Sequence, residues 1–491
     1  MVATNDSHLS SFWRTIILSN HIFLIILFIL GKSAIYWCYN LLEFYDTYAY
    51  TYVASSPFYS QDFWAGGRPL TVPLIYKLAG YWQIGTEARV NATNFQFVLA
   101  ILCWITLGLV IKRIINLPTL KPLGLAIVLG FGLSTDISQW DRTLLSESVS
   151  ISLFALLVAV WLIAIIVWQT PSLAFLYNFI TLLVSSTTFF WSFTRDSNMY
   201  LVLGLGFLML GGLFFRAIRQ HMAYKQYAGM ILILFGIFLA QNHAMDVKGM
   251  KWNNVDTGDK GWMINLQNVL GQRILPNSER TAFFVQNGMP VDANVMRFAG
   301  KFAGSLDWAW YKDPKMAPNL AWLRKYGKIT YLKFLLSNFP EVAREPLTHL
   351  ASIFSPDLQE YVSPKDDFHA KNLLNGWVAK LTAILYPKQL RILILGIGSL
   401  FGIATILIFR GKASATWLVP YALLLLVYPM IFITWHGDAV EIGRHSLLVA
   451  IQLRLAGWLL LLFFLDKGFE ELGRWKVVEK KEFWVFRSQK A

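Results

Sequence analysis

The chain has 491 residues, of which 56% are hydrophobic and only 15% charged, with a mean hydropathy of +0.47 and a formal net charge of +14. That composition excludes an ordinary soluble domain and describes a multi-spanning membrane protein. The basic excess falls mainly at the ends of apolar segments and in the tail, where topology accounts for it, so no nucleic-acid partner is expected.

Twenty Trp, 20 Tyr and 36 Phe suit aromatic belts at two membrane interfaces and equally suit the lining of a lipid or sugar groove. Cys38 and Cys103 lie in or beside apolar segments without ligand spacing, so neither a disulfide framework nor a metal site is expected. The first apolar segment follows polar residues and lacks a small-x-small cleavage signal, which predicts a retained anchor.

In chain order, a first span is expected over residues 16–37, with Lys32 near its far end placed to snorkel to the interface. Further spans are expected over 94–111, 123–133, 149–167, 173–190, 200–215, 228–240, 392–409, 417–433 and 447–465. The third is short and is expected to extend into the turn beginning at Ser134. The fold class is therefore an all-α polytopic membrane protein of about ten transmembrane helices. It divides into a membrane module over 1–240, an extracytoplasmic region over 241–388, three more spans over 389–466 and a basic tail over 467–491.

Orientation follows from the short turns. Lys112, Arg113 and Lys121 share one, Arg216, Arg219, His221 and Lys225 another, and Arg410 and Lys412 a third; with Arg14 and the tail they fall on one side, which the positive-inside rule makes cytoplasmic. The tail, mixing basic and aromatic residues, is expected to lie against the anionic inner leaflet. The opposite side carries the loop 41–92, three polar turns and the long region 241–388. That region is too polar to span and too long for a plain loop, so a small folded subdomain is expected. Within it, 247–263 reads as loop and KYGKITYLKFLLSNFPEVAREPLTHL as one or two short helices ending before Pro346.

The candidate chemistry collects on this outer side. Asp46 follows the first span, three residues after Glu43; on a continued helix the two would share a face, and like charge would raise one pKa, as suits a general base. Glu147 is a second base candidate. Arg68, Arg142, Arg195, Arg444 and His445 form a cation set fit for a phosphate, with Asp141, Asp196, Asp438 and Glu441 as supporting acids. Local pairs, Asp141 with Arg142 and Arg195 with Asp196, are the plainer alternative for two of those arginines. Transfer of a sugar from an isoprenoid phosphate needs such a carboxylate, such cations and an apolar groove.

The stretch EFYDTYAY resembles the first outer loop of GT-C class polyprenyl-phosphate-dependent glycosyltransferases. The stretches GGRPLTVPLIYKL, WDRTLLSESVSISLFALL, FTRDSNMY and GDAVEIGRH resemble segments of a bacterial, arabinosyltransferase-like branch. The resemblance implies that Asp46 is the catalytic base, that transfer inverts the anomeric centre and that no cofactor or metal is required. It also implies a polyprenyl-phosphate sugar donor, a glycan or lipid acceptor outside the membrane, and a bacterial inner membrane with both termini cytoplasmic. The sequence reads Asp-Thr where related mannosyl and aminoarabinose transferases have an Asp-Glu pair, which leaves sugar, acceptor and metal dependence open. Competing readings are a transporter or flippase, which calls for charges buried mid-span and broken helices, an O-antigen-type polymerase or ligase, and a non-enzymatic scaffold.

Overall fold

A computed structural model of the chain describes the backbone of residues 6–64, 67–80, 86–215, 224–247, 249–252, 255–355 and 358–488. Side chains are described within those ranges except at 6–20, 45, 86, 247, 249–260, 359 and 473–488. Arg14, Arg216, Arg219, His221 and the tail beyond residue 472, all used to set orientation, lie outside the described side chains.

The apolar runs are helical because, inside a bilayer, a helix satisfies every backbone polar group within its own segment. Among the described residues seven helices are long and apolar enough to cross a membrane: Glu87–Ile114, Ser146–Trp168, Pro171–Ser192, Tyr224–Asp246, Leu390–Phe409, Ala415–Gly437 and Ile442–Leu472. An eighth crossing results if Leu120–Leu133 and Thr135–Arg142, bent by 55°, count as one. The bend sits at Ser134, whose extended backbone (ψ 144°) breaks the helix while its hydroxyl bonds the Phe131 carbonyl at 2.7 Å. The remaining two expected spans correspond to the shorter apolar helices His21–Trp37 and Asn198–Gly212.

Two helices form the centre of the bundle. Ser146–Trp168 and Ile442–Leu472 are each buried over 83% of their apolar window, whereas Leu390–Phe409 is buried over only 17% and presents most of its surface to lipid. Small residues let the helices approach closely, since a Cβ on Gly132 would stand 2.8 Å from the Trp104 ring. The last helix also ties the two faces together. It begins at Ile442, and about 36 Å further on, at 1.5 Å per residue, Asp466 accepts the backbone N–H groups of Asn116 and Leu117 at 2.9–3.1 Å.

The long polar region 241–388 contributes to two cores. Met263, Leu266, Leu270, Phe284, Trp310, Trp322, Phe334 and Val342 pack into a core separate from that of the bundle, against which Phe432 and Ala439 also rest. Ile353, Phe354, Tyr361, Leu374, Val378 and Tyr386 join the core of the bundle.

Two local expectations are corrected. The stretch read as loop after residue 247 forms an antiparallel hairpin of Gly249–Trp252 and Val255–Lys260, the one sheet among the described residues. The second short helix runs Phe339–Thr348 and keeps Pro346 inside it. Proline has no N–H to donate to the carbonyl four residues earlier, and the freed Val342 oxygen is met instead by His436 Nε2 at 2.9 Å.

Candidate active site

Four stretches far apart in sequence meet at the head of the bundle, and backbone pairing fixes the first against the second. Leu42 N donates to the Arg142 carbonyl at 3.1 Å and Leu144 N to the Leu42 carbonyl at 2.9 Å. Thr47 closes the turn by accepting Phe44 N–H at 2.9 Å and donating its hydroxyl to the Leu144 carbonyl. That lacing sets Asp46, in the first turn of helix Tyr45–Ser55, beside Glu147, in the first turn of Ser146–Trp168.

Arg444, in the first turns of the last helix, is the hub. Its guanidinium bonds Asp46 Oδ2 at 2.8 Å, Glu147 Oε1 at 3.4 Å and Glu441 Oε2, with 7% of its side chain exposed. Arg68 holds the other Asp46 oxygen at 2.6 Å and lies over the Tyr50 ring at 5.1 Å. Arg195 bonds Glu147 Oε1 at 3.0 Å and contacts His445 Nδ1 at 3.2 Å. Tyr361 donates to Glu441 Oε1 at 2.7 Å, and Asp438 Oδ2 stands 3.9 Å from His445 Nε2. Glu441 adopts a left-handed backbone, φ 55°, a conformation a non-glycine residue keeps only when its surroundings hold it.

Partners set the proton affinities of the acids outside the spans. Burial pushes the Asp46 carboxyl up, but Arg68 and then Arg444 outweigh it and hold the group well below the usual carboxylate range. Burial raises Asp196 against the opposing charges of Arg68 and Arg195. Asp438 is pushed up to about 6 by burial, against the Val440 N–H, Asn268 and the Ala439 N–H.

Several sequence expectations are corrected. Glu43 precedes the helix that carries Asp46, so the two do not share its face; Glu43 pairs with Arg89 at 3.0 Å. No raised Asp46 pKa results, because two cations and not a second acid surround it. Asp141 does not pair with Arg142: its partner is Lys32, at 2.9 Å, which is fully buried and also donates to the Gly132 carbonyl and Ser138. Lys32 therefore does not snorkel. Arg142 directs its guanidinium to the faces of Tyr36 and Trp37, at 4.8 and 5.1 Å, and is not joined to the Asp46 cluster by any described ion pair. Charge is also not confined to the outer turns, since Arg454, 1% exposed, lies ten residues past Arg444 in the last helix and bonds the carbonyls of Phe354, Pro387 and Ala450.

Tyr361 and Asn268 carry part of the site and have no signal in the sequence that would single them out. Lys32 did have one, because an ionisable group within a span calls for a buried partner.

Beside the cluster lies a cavity of about 30 Å³ lined by Trp64, Arg68, Phe193, Asp196 and Gln241 among others. That is room for about two waters. A larger apolar cavity of about 290 Å³ opens between Ser146–Trp168, Asn198–Gly212 and Ala415–Gly437, lined by Leu157, Trp161, Leu208 and Phe409 among others. Among the described residues no group of three or more His, Cys, Asp or Glu is arranged to hold a metal ion. No family model, no curated protein and no solved structure matches this chain.

Proposed function

We propose that this chain is a membrane-embedded glycosyltransferase, GT-C-like, that moves a sugar from a polyprenyl-phosphate donor to a glycan or lipid acceptor outside the inner membrane of a bacterial cell, with inversion. The observation that carries the reading is the convergence of Asp46, Arg68, Glu147, Arg195, Asp438, Arg444 and His445 into one buried cluster at the head of the bundle. A cluster of three arginines offers planar forks for a departing phosphate, and the carboxylates among them offer acceptors for the hydroxyl proton. In the resting arrangement Asp46 occupies two of those forks, in the place an anionic phosphate would take. In this reading both termini are cytoplasmic and the cluster lies outside, the orientation that the basic turns favour under the positive-inside rule.

The test compares cell-envelope glycans and polyprenyl-phosphate sugars with and without the protein, followed by transfer with the purified chain. Loss of one glycan with accumulation of its lipid-linked sugar is expected; unchanged glycans and carrier pools reject the reading.

A second reading, a transporter or flippase of a lipid-linked sugar, is favoured by two observations: the bent pair at Ser134 and the charges of Lys32, Asp141 and Arg454 inside the bundle. Movement of labelled lipid-linked sugar across proteoliposomes without any change in its linkage would select it.

A further inference from the structure

Five carboxylates lie among the cations of the cluster; three of them bear guanidinium groups in ion pairs, and a fourth, Asp196, has the charges of Arg68 and Arg195 set against it. Asp46 has both oxygens on arginine, Glu147 holds Arg195 and Arg444 through Oε1, and Glu441 holds Arg444. Asp438 is built differently. Its Oδ1 accepts three N–H groups, from Asn268 at 3.0 Å, Ala439 at 2.7 Å and Val440 at 3.0 Å. Its Oδ2 faces His445, its one ion-pair partner among the described residues. Exposure does not separate the candidates, since the side chains of Asp46 and Asp438 are each 15% exposed. Their partners do.

The His445 ring is oriented by the same geometry. Arginine has no acceptor, so the 3.2 Å contact between Arg195 Nη2 and His445 Nδ1 makes Nδ1 the acceptor and leaves the proton of a neutral imidazole on Nε2, toward Asp438. The charged and titratable groups facing Asp438 are His445 from the last helix, Glu441 from its own turn and Arg273 from the outer region. Asn268, itself buried, is fixed in turn by accepting the Ala303 N–H at 2.8 Å.

We infer that Asp438 is the carboxylate that takes the acceptor's proton at this site, with Asn268 of the outer region as its positioning residue and Asp46 as the resting counter-ion of Arg68 and Arg444. The inference rests on the glycosyl-transfer reading. The step balances within that reaction: the acceptor oxygen bonds the anomeric carbon, the bond from that carbon to the phosphate oxygen breaks with its electron pair on the phosphate, and the hydroxyl proton passes to Asp438 Oδ2. A base works best when its proton affinity lies near the working pH. A carboxyl near 6 meets that condition, whereas one held down by two guanidiniums does not.

The experiment has two arms on the purified full-length protein. Infrared difference titration, with Asp438→Asn as the reference, locates the carboxyl without any substrate. A midpoint within about a unit of 6 that rises in Asn268→Ala is expected, because that variant removes a hydrogen bond favouring the charged form. Absence of such a midpoint, or an unmoved one, overturns the proton site. Asp438→Asn keeps the Oδ1 acceptor and so the turn. In transfer from a polyprenyl-phosphate sugar it should lower kcat by about 100-fold to 10,000-fold with donor affinity unchanged, and the acid limb of kcat should move up in Asn268→Ala. Asp46→Asn should change donor affinity more than kcat. A large kcat loss in Asp46→Asn with near-normal kcat in Asp438→Asn overturns the inference and returns the base to Asp46. A protein in which the carboxyl titrates as expected but no sugar is transferred overturns the transfer reading while the proton site stands.

Discussion

Arg444 and Asp46 are 398 positions apart in sequence and bond at 2.8 Å. The pair joins the first outer loop to the start of the last helix, and Glu147 joins the same guanidinium from a third stretch. Fixing three acids on one planar fork demands a side chain that presents several donors at set angles, which arginine does and lysine does not.

Replacement of Arg444 by Leu should therefore be costly, because it leaves Asp46, Glu147 and Glu441 together without their shared cation. Breaking a buried pair costs about 3–5 kcal/mol, and thermal unfolding of the detergent-purified protein should show a large drop. Arg444→Lys should recover only part of it, since charge returns without the fork. Equal stability of all three proteins would contradict the hub.

The pair of Lys32 and Asp141 gives a sharper case, because neither side chain reaches solvent. Lys32→Met alone should destabilise by about 3–5 kcal/mol, and adding Asp141→Leu should restore much of it, since an apolar pair of similar volume replaces a buried ion pair at little cost. The check is a double-mutant cycle on unfolding temperature; additive losses would show that the two do not interact.

Acid should weaken the fold through Asp46. Its folded pKa lies below the ordinary 3.8, so its contribution to stability is fully present above that value and is lost as the pH falls through the folded pKa. Asp438 has the opposite sign: its raised pKa favours the fold below 3.8, and that contribution is lost as the pH rises to about 6. Unfolding temperatures of wild type, Asp46→Asn and Asp438→Asn between pH 3 and pH 7 should separate the two, Asp46→Asn losing less stability than wild type at the acid end.

Sidedness is tested by single cysteines at exposed positions. Tyr59, 92% exposed in the first outer loop, and Lys412, exposed in the turn after Leu390–Phe409, lie on opposite sides in the proposed topology. Tyr59→Cys should react with an impermeant thiol reagent in intact cells and Lys412→Cys only after lysis. The native Cys38 and Cys103 are buried and should stay silent. Labelling of both before lysis would break the topology.

Where apolar segments lie was legible in the sequence, because the bilayer imposes a length and a composition on each helix separately. The sequence also grouped Asp46, Arg68, Asp141, Arg142, Glu147, Arg195, Asp196, Asp438, Glu441, Arg444 and His445, and the structure brings most of them together but leaves Asp141 with Lys32 and Arg142 on the rings of Tyr36 and Trp37. Helix caps and breaks were legible only in part: Ser134 ends its helix as the residue type suggests, while Pro346 remains within one because His436, from a distant element, satisfies the carbonyl that proline frees.

Partner choice was not legible. Arg142 stands next to Asp141 in sequence, yet Asp141 reaches Lys32 across the bundle and Arg142 lies on two aromatic faces. Glu43 is three residues from Asp46, yet a helix that begins at Tyr45 separates their directions. The sequence by itself determined the class of protein, the approximate helices and the residue types on one face, since each depends on composition over a window of about twenty residues. Only the tertiary structure decided which acid meets which base. That depends on the approach of stretches hundreds of residues apart, and it gives Asp46 two guanidinium groups and Asp438 the His445 ring as its described ion-pair partner.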